Sequence, residues 1–523
     1  MMRSPVFALL LLGAAAPRQD VPDLIQKLGS QDFEEQGKAA KALEALGPRV
    51  LPALRGAAEN GTGDVRTWAQ RLIARLQENE GRARALVARL GAADGAAEAE
   101  IRQMGWPAAD YLREALASED KELARRAQKL LEELEGARAA EGAFAKSRLA
   151  GKRDLLAKGG GDADSEKAVL EALKWLSRHQ SADGSWKTQG YKERCRKLAR
   201  HADSPPCTPN PGEDEHDAGV TALALLAFLG AGYTPLSLDD HDGIVFGESV
   251  KKGLQWFLAR QRPDGDFASP NQPKAIYVHA LAAQAMAETY GFTGLGVYKD
   301  SAQKAVTYLL AAQNPGKGWR YGPKSGDNDS SVTGVCVGAL HSAELARLHV
   351  PRAAYDGARA WFDEVTEESY HRVGYTHKGT GKVFIPGKNE DFDHHETLTA
   401  LGVTSRILMD RNRKDPKLVG GCDLLLRDKP SFKGNQTDFY YWLHASQAIY
   451  QLDGPSGKKW QAWNFEMKRT LTAAQNKAAA GCTGGSWEPV DRWSAEGGRV
   501  YATAVNALTL ETYYRYAPLP AEK

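Results

Sequence analysis

The chain has 523 residues, 68 Lys and Arg against 66 Asp and Glu, and 42% hydrophobic residues. That length exceeds what one compact core usually spans, so two domains are expected. The nearly balanced charge gives no electrostatic footing for nucleic acid as the main partner, and the apolar content is that of an ordinary globular protein.

Residues 1–19 read as a signal peptide. Arg3 supplies the positive start, and "VFALLLLGAAA" from Val6 to Ala16 is an apolar run of eleven residues. Ala14 and Ala16 offer a small-x-small cleavage site. Pro17 leaves the exact cut open, and a short buried helix is the structural alternative. The run is too short for a bilayer, which needs about 20 apolar residues. No other segment is long and apolar enough to cross a membrane. The mature protein is therefore expected to be periplasmic or secreted, with no transmembrane segment.

Residues 20–135 are rich in Ala, Leu, Arg and Glu, and they repeat. "ALGPRVLPALRGAAE" from Ala45 resembles "QMGWPAADYLREALA" from Gln103. Gly47 matches Gly105, and Ala69-Gln70 matches Ala127-Gln128, at one offset. Each unit reads as antiparallel helices with a Gly-containing turn, and it resembles HEAT-like repeats. Two such units bury too little on their own, so they are expected to lean on the next domain and to offer a protein partner a surface. A polar connector over 136–165 follows, with "KGGGDADS" from Lys158 as its flexible part and Ser165 as the cap of the next helix.

From Glu166 onward a second repeat appears. "WLSRHQSADGSW" from Trp175, "WFLARQRPDGDF" from Trp256 and "YLLAAQNPGKGW" from Tyr308 share one spacing: an aromatic, Gln five residues later, and another aromatic six after that. A fourth copy, Thr470 to Trp487, keeps the Gln and "GGSW" but carries six extra residues, and a degenerate copy runs from Trp361 to Tyr375. The spacing predicts a helix ending at the Gln, a Gly in the turn, and an aromatic folded back over it. After each loop comes a more continuously apolar helix, starting near Asp217, Lys274, Ser330, His395, Thr437 and Arg499. These six form the expected inner layer of six helical hairpins.

The Gln-to-Trp loops resemble the recurrent motif of the squalene-hopene cyclases, and the whole pattern over 166–518 is similar to the α/α-toroid family that also includes protein prenyltransferase β subunits. The closing segment, Gly484 to Tyr516, resembles exported bacterial proteins that carry these repeats without an assigned reaction. The resemblance implies an all-α protein: N-terminal HEAT-like helical repeats followed by an (α/α)6 toroid. A linear helical solenoid is the alternative. A closed ring would direct all six inner-helix starts to one mouth, and the resemblance implies that any catalysis sits in the cavity behind it.

Candidate residues follow from that geometry. In "EDEHDAGV", Glu213 to Val220, the catalytic candidates are His216 and Asp217, set against a solvated loop with Asp217 as a plain cap. In "NEDFDHHETLTA", Asn389 to Ala400, they are His395 and Glu396, set against capping and a local charge network. Adjacent histidines on a helix diverge by about 100°, so a metal at His394 and His395 would need ligands from elsewhere, such as His377 or Asp438. Tyr277, His279, Asp438, Tyr441, Arg499 and Tyr501 are the candidate ligand-binding residues, with Tyr440, Trp442 and His444 as further aromatics of the inner layer. Five cysteines are present. Cys195 and Cys207 share one loop, with His201 between them and His216 beyond. A disulfide, unmodified thiols and a metal site all remain open for that set, and no metal ligands are assigned.

The chemistries best known on this ring lack their motifs here. Of the cyclases' Asp-x-Asp-Asp acid cluster, Asp214-Glu215-His216-Asp217 keeps only the outer aspartates. The prenyltransferases' Asp-x-Cys pair fails at Cys336, which has Gly334 two positions before it. The Cys-Gly-Glu-Gln of thioester domains and the paired zinc cysteines of lanthipeptide cyclases are missing too. The sequence thus points to a ligand- or peptide-binding or assembly module. The alternative is an enzyme using acid–base or metal-assisted chemistry in the cavity. No cofactor is identified.

Overall fold

The computed structural model describes residues 21–30, 33–45, 50–92, 94–104, 108–131, 133–134, 152–191, 207, 211–269, 271–378, 387–410, 412 and 414–515. The expected signal peptide, Cys195 and His201 lie outside them. Among the described residues the fold is all-α, with two isolated β-bridges, Asp240 to Val245 and Thr366 to Val373.

Twelve helices build the ring. The outer ones are α1 (Ala163–His179), α3 (Phe246–Arg260), α5 (Gly296–Ala312), α7 (Arg352–Val365), α9 (Pro416–Leu425) and α11 (Lys458–Ala474). The inner ones are α2 (Asp217–Gly230), α4 (Ala275–Thr293), α6 (Ser330–Leu345), α8 (Thr397–Asp410), α10 (Phe439–Asp453) and α12 (Ser494–Leu510). Hydrophobic patterning sorts the two layers. In α7, Ala354, Ala358, Trp361 and Val365 recur at helical spacing and are buried, while Arg, Asp and Glu face outward. In α4 nearly every side chain from Val278 to Thr293 is buried, because it packs on both sides. Each inner helix contacts the next, α2 to α4, α4 to α6, and so on to α10 and α12, and α12 packs back on α2. That last contact closes the ring and excludes a linear solenoid.

The Gln of each recurrent loop stitches one repeat to the next. Gln180 donates its amide to the Gly184 carbonyl of its own loop (2.8 Å) and to Ser249 in α3 (2.9 Å). Gln261 does the same with Gly265 and Ser301 of α5, and Gln313 with Lys317 and Ala354 of α7. Gln475 bonds Gly485 at 2.9 Å and Ala168 of α1 at 2.8 Å, so the last repeat is tied to the first. The late aromatic folds back as the spacing requires: the indole N–H of Trp186, Trp319 and Trp487 donates to the carbonyl of Leu176, Leu309 and Leu471.

The N-terminal helices form two apolar clusters. Helix Gly63–Arg89 runs through both, so the two sequence units share one element instead of ending at a turn. Leu238, from the α2–α3 loop of the ring, belongs to the first cluster, and Arg71 lies 3.6 Å from Asp240. The region thus leans on the ring. The described end of the connector is ordered: 152–159 is helical, and Trp460 donates its indole N–H to the Gly159 carbonyl at 2.7 Å. Asp162, not Ser165, caps α1. Its carboxylate accepts the Ser165 N–H at 2.9 Å, and the Ser165 hydroxyl accepts the Asp162 N–H at 2.9 Å in return.

Candidate ligand cavity

The ring encloses a cavity of about 620 Å³. The first turns of all six inner helices meet at one end of it, through His216, Lys274, Ser331, His395, Tyr440 and Glu496. This end reaches solvent, since the nearby Glu213 and Glu215 side chains are 37% and 52% exposed. The opposite end is closed by Arg515, which bonds Glu288 at 3.1 and 3.2 Å and the Leu226 carbonyl at 2.9 Å. Between the two ends the wall is mainly apolar, with Leu281, Val335, Leu401 and Leu508, and Gln284, Thr404, Ser405, His444 and Gln447 also line it.

The structure brings four of the sequence candidates to this cavity: His216, His395, Tyr277 and Tyr501. His216 lies 3.5 Å from Glu215 and 3.6 Å from Glu213, yet burial holds its pKa below the ordinary histidine value against their pull and that of Glu496. His395 stacks on Tyr441 at 5.0 Å and meets the Gln436 carbonyl at 3.1 Å. The Tyr277 hydroxyl donates to Tyr440 at 2.8 Å, and that of Tyr501 to Asp491 at 3.1 Å.

The other six candidates serve the scaffold, and the cavity does not include them in its lining. Asp217 accepts the Thr188 N–H at 2.8 Å and pairs with Lys187 at 3.2 Å, holding the first loop. Glu396 pairs with Arg372 at 2.6 Å and accepts the Thr399 hydroxyl at 2.8 Å. Asp438 caps α10, accepting the Tyr441 N–H and the Trp493 indole, each at 2.9 Å. Tyr441 donates to the Leu425 carbonyl at 2.7 Å. Arg499 is wholly buried and bonds Glu488 at 2.6 Å, so it meets its anionic group within the chain. His279 is wholly buried as well. Its Nδ1 accepts the Phe267 N–H at 3.2 Å while its Nε2 meets the Ala305 carbonyl at 2.9 Å. Thr221, Thr333 and Thr399 accept the corresponding loop N–H groups of Trp186, Trp319 and Val373. His279 simply fills the threonine position of the second repeat.

The mouth differs electrostatically from a row of bare helix starts. Asp329 and Asp438 already accept the first N–H groups of α6 and α10, so these helix dipoles are answered by the chain itself. Lys274 and Glu496 pair at 2.7 Å, and Lys388 and Glu213 at 2.6 Å. Glu213, Glu215 and His216 bring donor atoms within 4.8 Å of one another; Lys388 offsets Glu213, while Glu215 meets His216 at 3.5 Å. Of the expected Cys195, His201, Cys207 and His216 set, the first two lie outside the described residues. Cys207 lies 3.7 Å from His179, which that set did not contain.

Three groups carried no motif in the sequence. His444 lines the middle of the cavity with neither ring nitrogen bonded to protein, and burial pushes its pKa down to about 3. Asp491, buried between Tyr501 and Phe439, is pushed up to about 7 by burial and then by the Asp438 charge. Asp329, which caps α6 and meets Tyr375 at 3.4 Å, is raised by burial to about 6. Between the ordinary carboxyl value and about 7, the folded chain keeps protons on these two acids that the unfolded chain has released. Their stabilising contribution is full at about pH 4, declines as pH rises, and is gone above about 7. Urea unfolding should therefore show higher stability at about pH 5 than at about pH 7.5, with a shallower difference in Asp491→Asn. An unchanged slope in that variant would remove Asp491 from the account.

No family profile and no curated protein matches the chain. Among solved structures it is similar to an α-1,6-mannanase, GH76A of Salegentibacter sp. HEL1_6, at 12% identity and TM-score 0.44, over 67% of this chain and 99% of that one. It is similar to the type II terpene cyclase MstE from Scytonema at 13% identity and TM-score 0.43, over 67% and 96%. The glycoside hydrolase family 76 mannosidase Bt3792 from Bacteroides thetaiotaomicron VPI-5482 gives 11% identity and TM-score 0.43, over 67% and 97%. Among the described residues no helix is long and apolar enough to cross a membrane.

Proposed function

We propose that this is an exported binding protein whose ring holds a small molecule with an apolar body and uncharged polar groups. In this reading the N-terminal helices are the surface for a protein partner. The observation that carries it is His444: an imidazole in the cavity wall, kept neutral by burial, with both nitrogens unbonded to protein. It offers one donor and one acceptor to whatever fills the space. The mainly apolar wall suits an apolar body, and about 620 Å³ lies within the usual range for small-molecule sites. The capped starts of α6 and α10 disfavour an anion, since their first N–H groups are already taken. A peptide segment fits less well, because its backbone would need many more polar partners than this wall supplies.

Native mass spectrometry of protein purified from its own host should show a retained neutral compound. His444→Leu should bind it about tenfold more weakly, the loss of one or two hydrogen bonds. Empty protein from the host, or unchanged affinity in the variant, would end this reading. One observation favours an enzyme instead. Asp491 holds its proton to about pH 7 and touches Tyr501, whose ring lines the cavity. Asp491 lies behind the cavity wall, so its proton would pass to the Tyr501 oxygen as that hydroxyl turns and gives its own proton to the ligand. Turnover of the retained compound, falling as pH rises above about 7 and lost in Asp491→Asn, would select that reading.

A further inference from the structure

Two departures from the repeat meet outside the cavity. The residue before the loop Gln is Arg260, Ala312 or Ala474 in three copies, but His179 in the first. The six extra residues of the fourth copy form a short 3-10 turn, Ala478–Thr483, which carries Cys482. That turn sets Cys482 Sγ 3.2 Å from His179 Nε2, with Cys207 Sγ 3.7 Å from the same nitrogen. The three donor atoms lie within 4.8 Å of one another. His179 and Cys207 are wholly buried, and Cys482 is 2% exposed. His179 Nδ1 faces the Trp175 carbonyl at 2.8 Å. A carbonyl only accepts, so in the neutral ring Nδ1 carries the hydrogen and Nε2 turns its lone pair to the sulfurs. An outer partner that fixes the tautomer in this way is the usual support of a metal-bound imidazole.

We propose that His179, Cys207 and Cys482 bind a zinc ion that clasps the seam of the ring. Zinc–sulfur and zinc–nitrogen bonds of about 2.3 and 2.0 Å at a tetrahedral angle place S and N about 3.5 Å apart, beside the 3.2 and 3.7 Å here. Two thiolates and an imidazole select zinc over the hard oxygen-seeking cations. Three protein donors leave the fourth position of tetrahedral zinc to a further ligand, and the burial of all three keeps the ion inside the fold. It joins the last residue of α1 and the α1–α2 loop, both of the first repeat, to the α11–α12 loop of the sixth. Two thiolates balance the double charge of the ion, and the nearby Arg499 is already paired with Glu488 at 2.6 Å.

Elemental analysis of full-length protein, purified without chelator, should give about one zinc per chain. Cobalt exchanged into the unaltered protein should give the thiolate-to-cobalt absorption and the intense visible bands of a tetrahedral site. Cys482→Ser and His179→Asn should each lower bound zinc more than tenfold, while Cys336→Ser, altered in the core of α6, should keep it. Should the first two variants fail to fold, the cobalt spectrum of the unaltered protein still decides. Substoichiometric zinc with reduced thiols would overturn the proposal. So would a disulfide between Cys207 and Cys482, seen as linked peptides and a mass lower by two hydrogens.

Discussion

Arg515→Met is expected to cost about 3–5 kcal/mol of folding stability, the usual loss when one partner of a buried ion pair is removed. The guanidinium is 3% exposed and stands between Glu288 and Glu511, both wholly buried, at 3.1 and 3.9 Å. It also satisfies the Leu226 carbonyl of α2. Met keeps the stem volume but leaves two carboxylates facing each other's charge at the closed end of the cavity. Adding Glu288→Gln should recover part of the loss, because groups in one network are not additive. Urea unfolding of the single and double variants measures both. A loss under about 1 kcal/mol in the single variant would show that water, not Arg515, solvates this end of the ring.

The second large effect is expected at Gly485→Ala. Gly485 has φ +94, and an added Cβ would lie 2.3 Å from the Glu171 carbonyl oxygen of α1. The dihedral alone costs about 1–3 kcal/mol for a residue with a Cβ. The contact is with backbone in the first outer helix, so relief requires the seam to open. Gly243→Ala separates the two costs: its φ is +81, and nothing lies within 4 Å of its added Cβ. Gly485→Ala should destabilise by at least about 2 kcal/mol more than Gly243→Ala, in keeping with the cost of overpacking a tight contact. Equal losses would mean that the seam yields without strain.

The ring was legible in the sequence because its joints demand particular residues. A Gln amide reaches two carbonyls in four copies, a Gly takes a positive φ under a neighbouring outer helix in three, and an indole folds back in three. Those shared demands leave a spacing that can be read. The cavity was legible only in part. Acids at helix starts cap helices and also serve catalysis, and the same letters write both. Asp217, Glu396 and Asp438 thus read as site residues but hold loops and caps. His279 looked exceptional only because the threonine position it fills becomes visible once Thr221, Thr333 and Thr399 are aligned in space. His444 and Asp491 belong to no repeat, and their character comes from burial, which composition does not encode. His179 and Cys482 stand far apart in the chain, and only ring closure makes them neighbours.

That closure has a consequence for biosynthesis. Ala168 of α1 receives its partner from Gln475, 307 positions later, and α2 lacks one flank until α12 arrives. The nascent chain therefore cannot complete its barrel of rods while the ribosome is still reading the middle repeats. Until α12 has been made, the apolar flank of α2 that it covers stays bare, which leaves the unfinished ring open to aggregation.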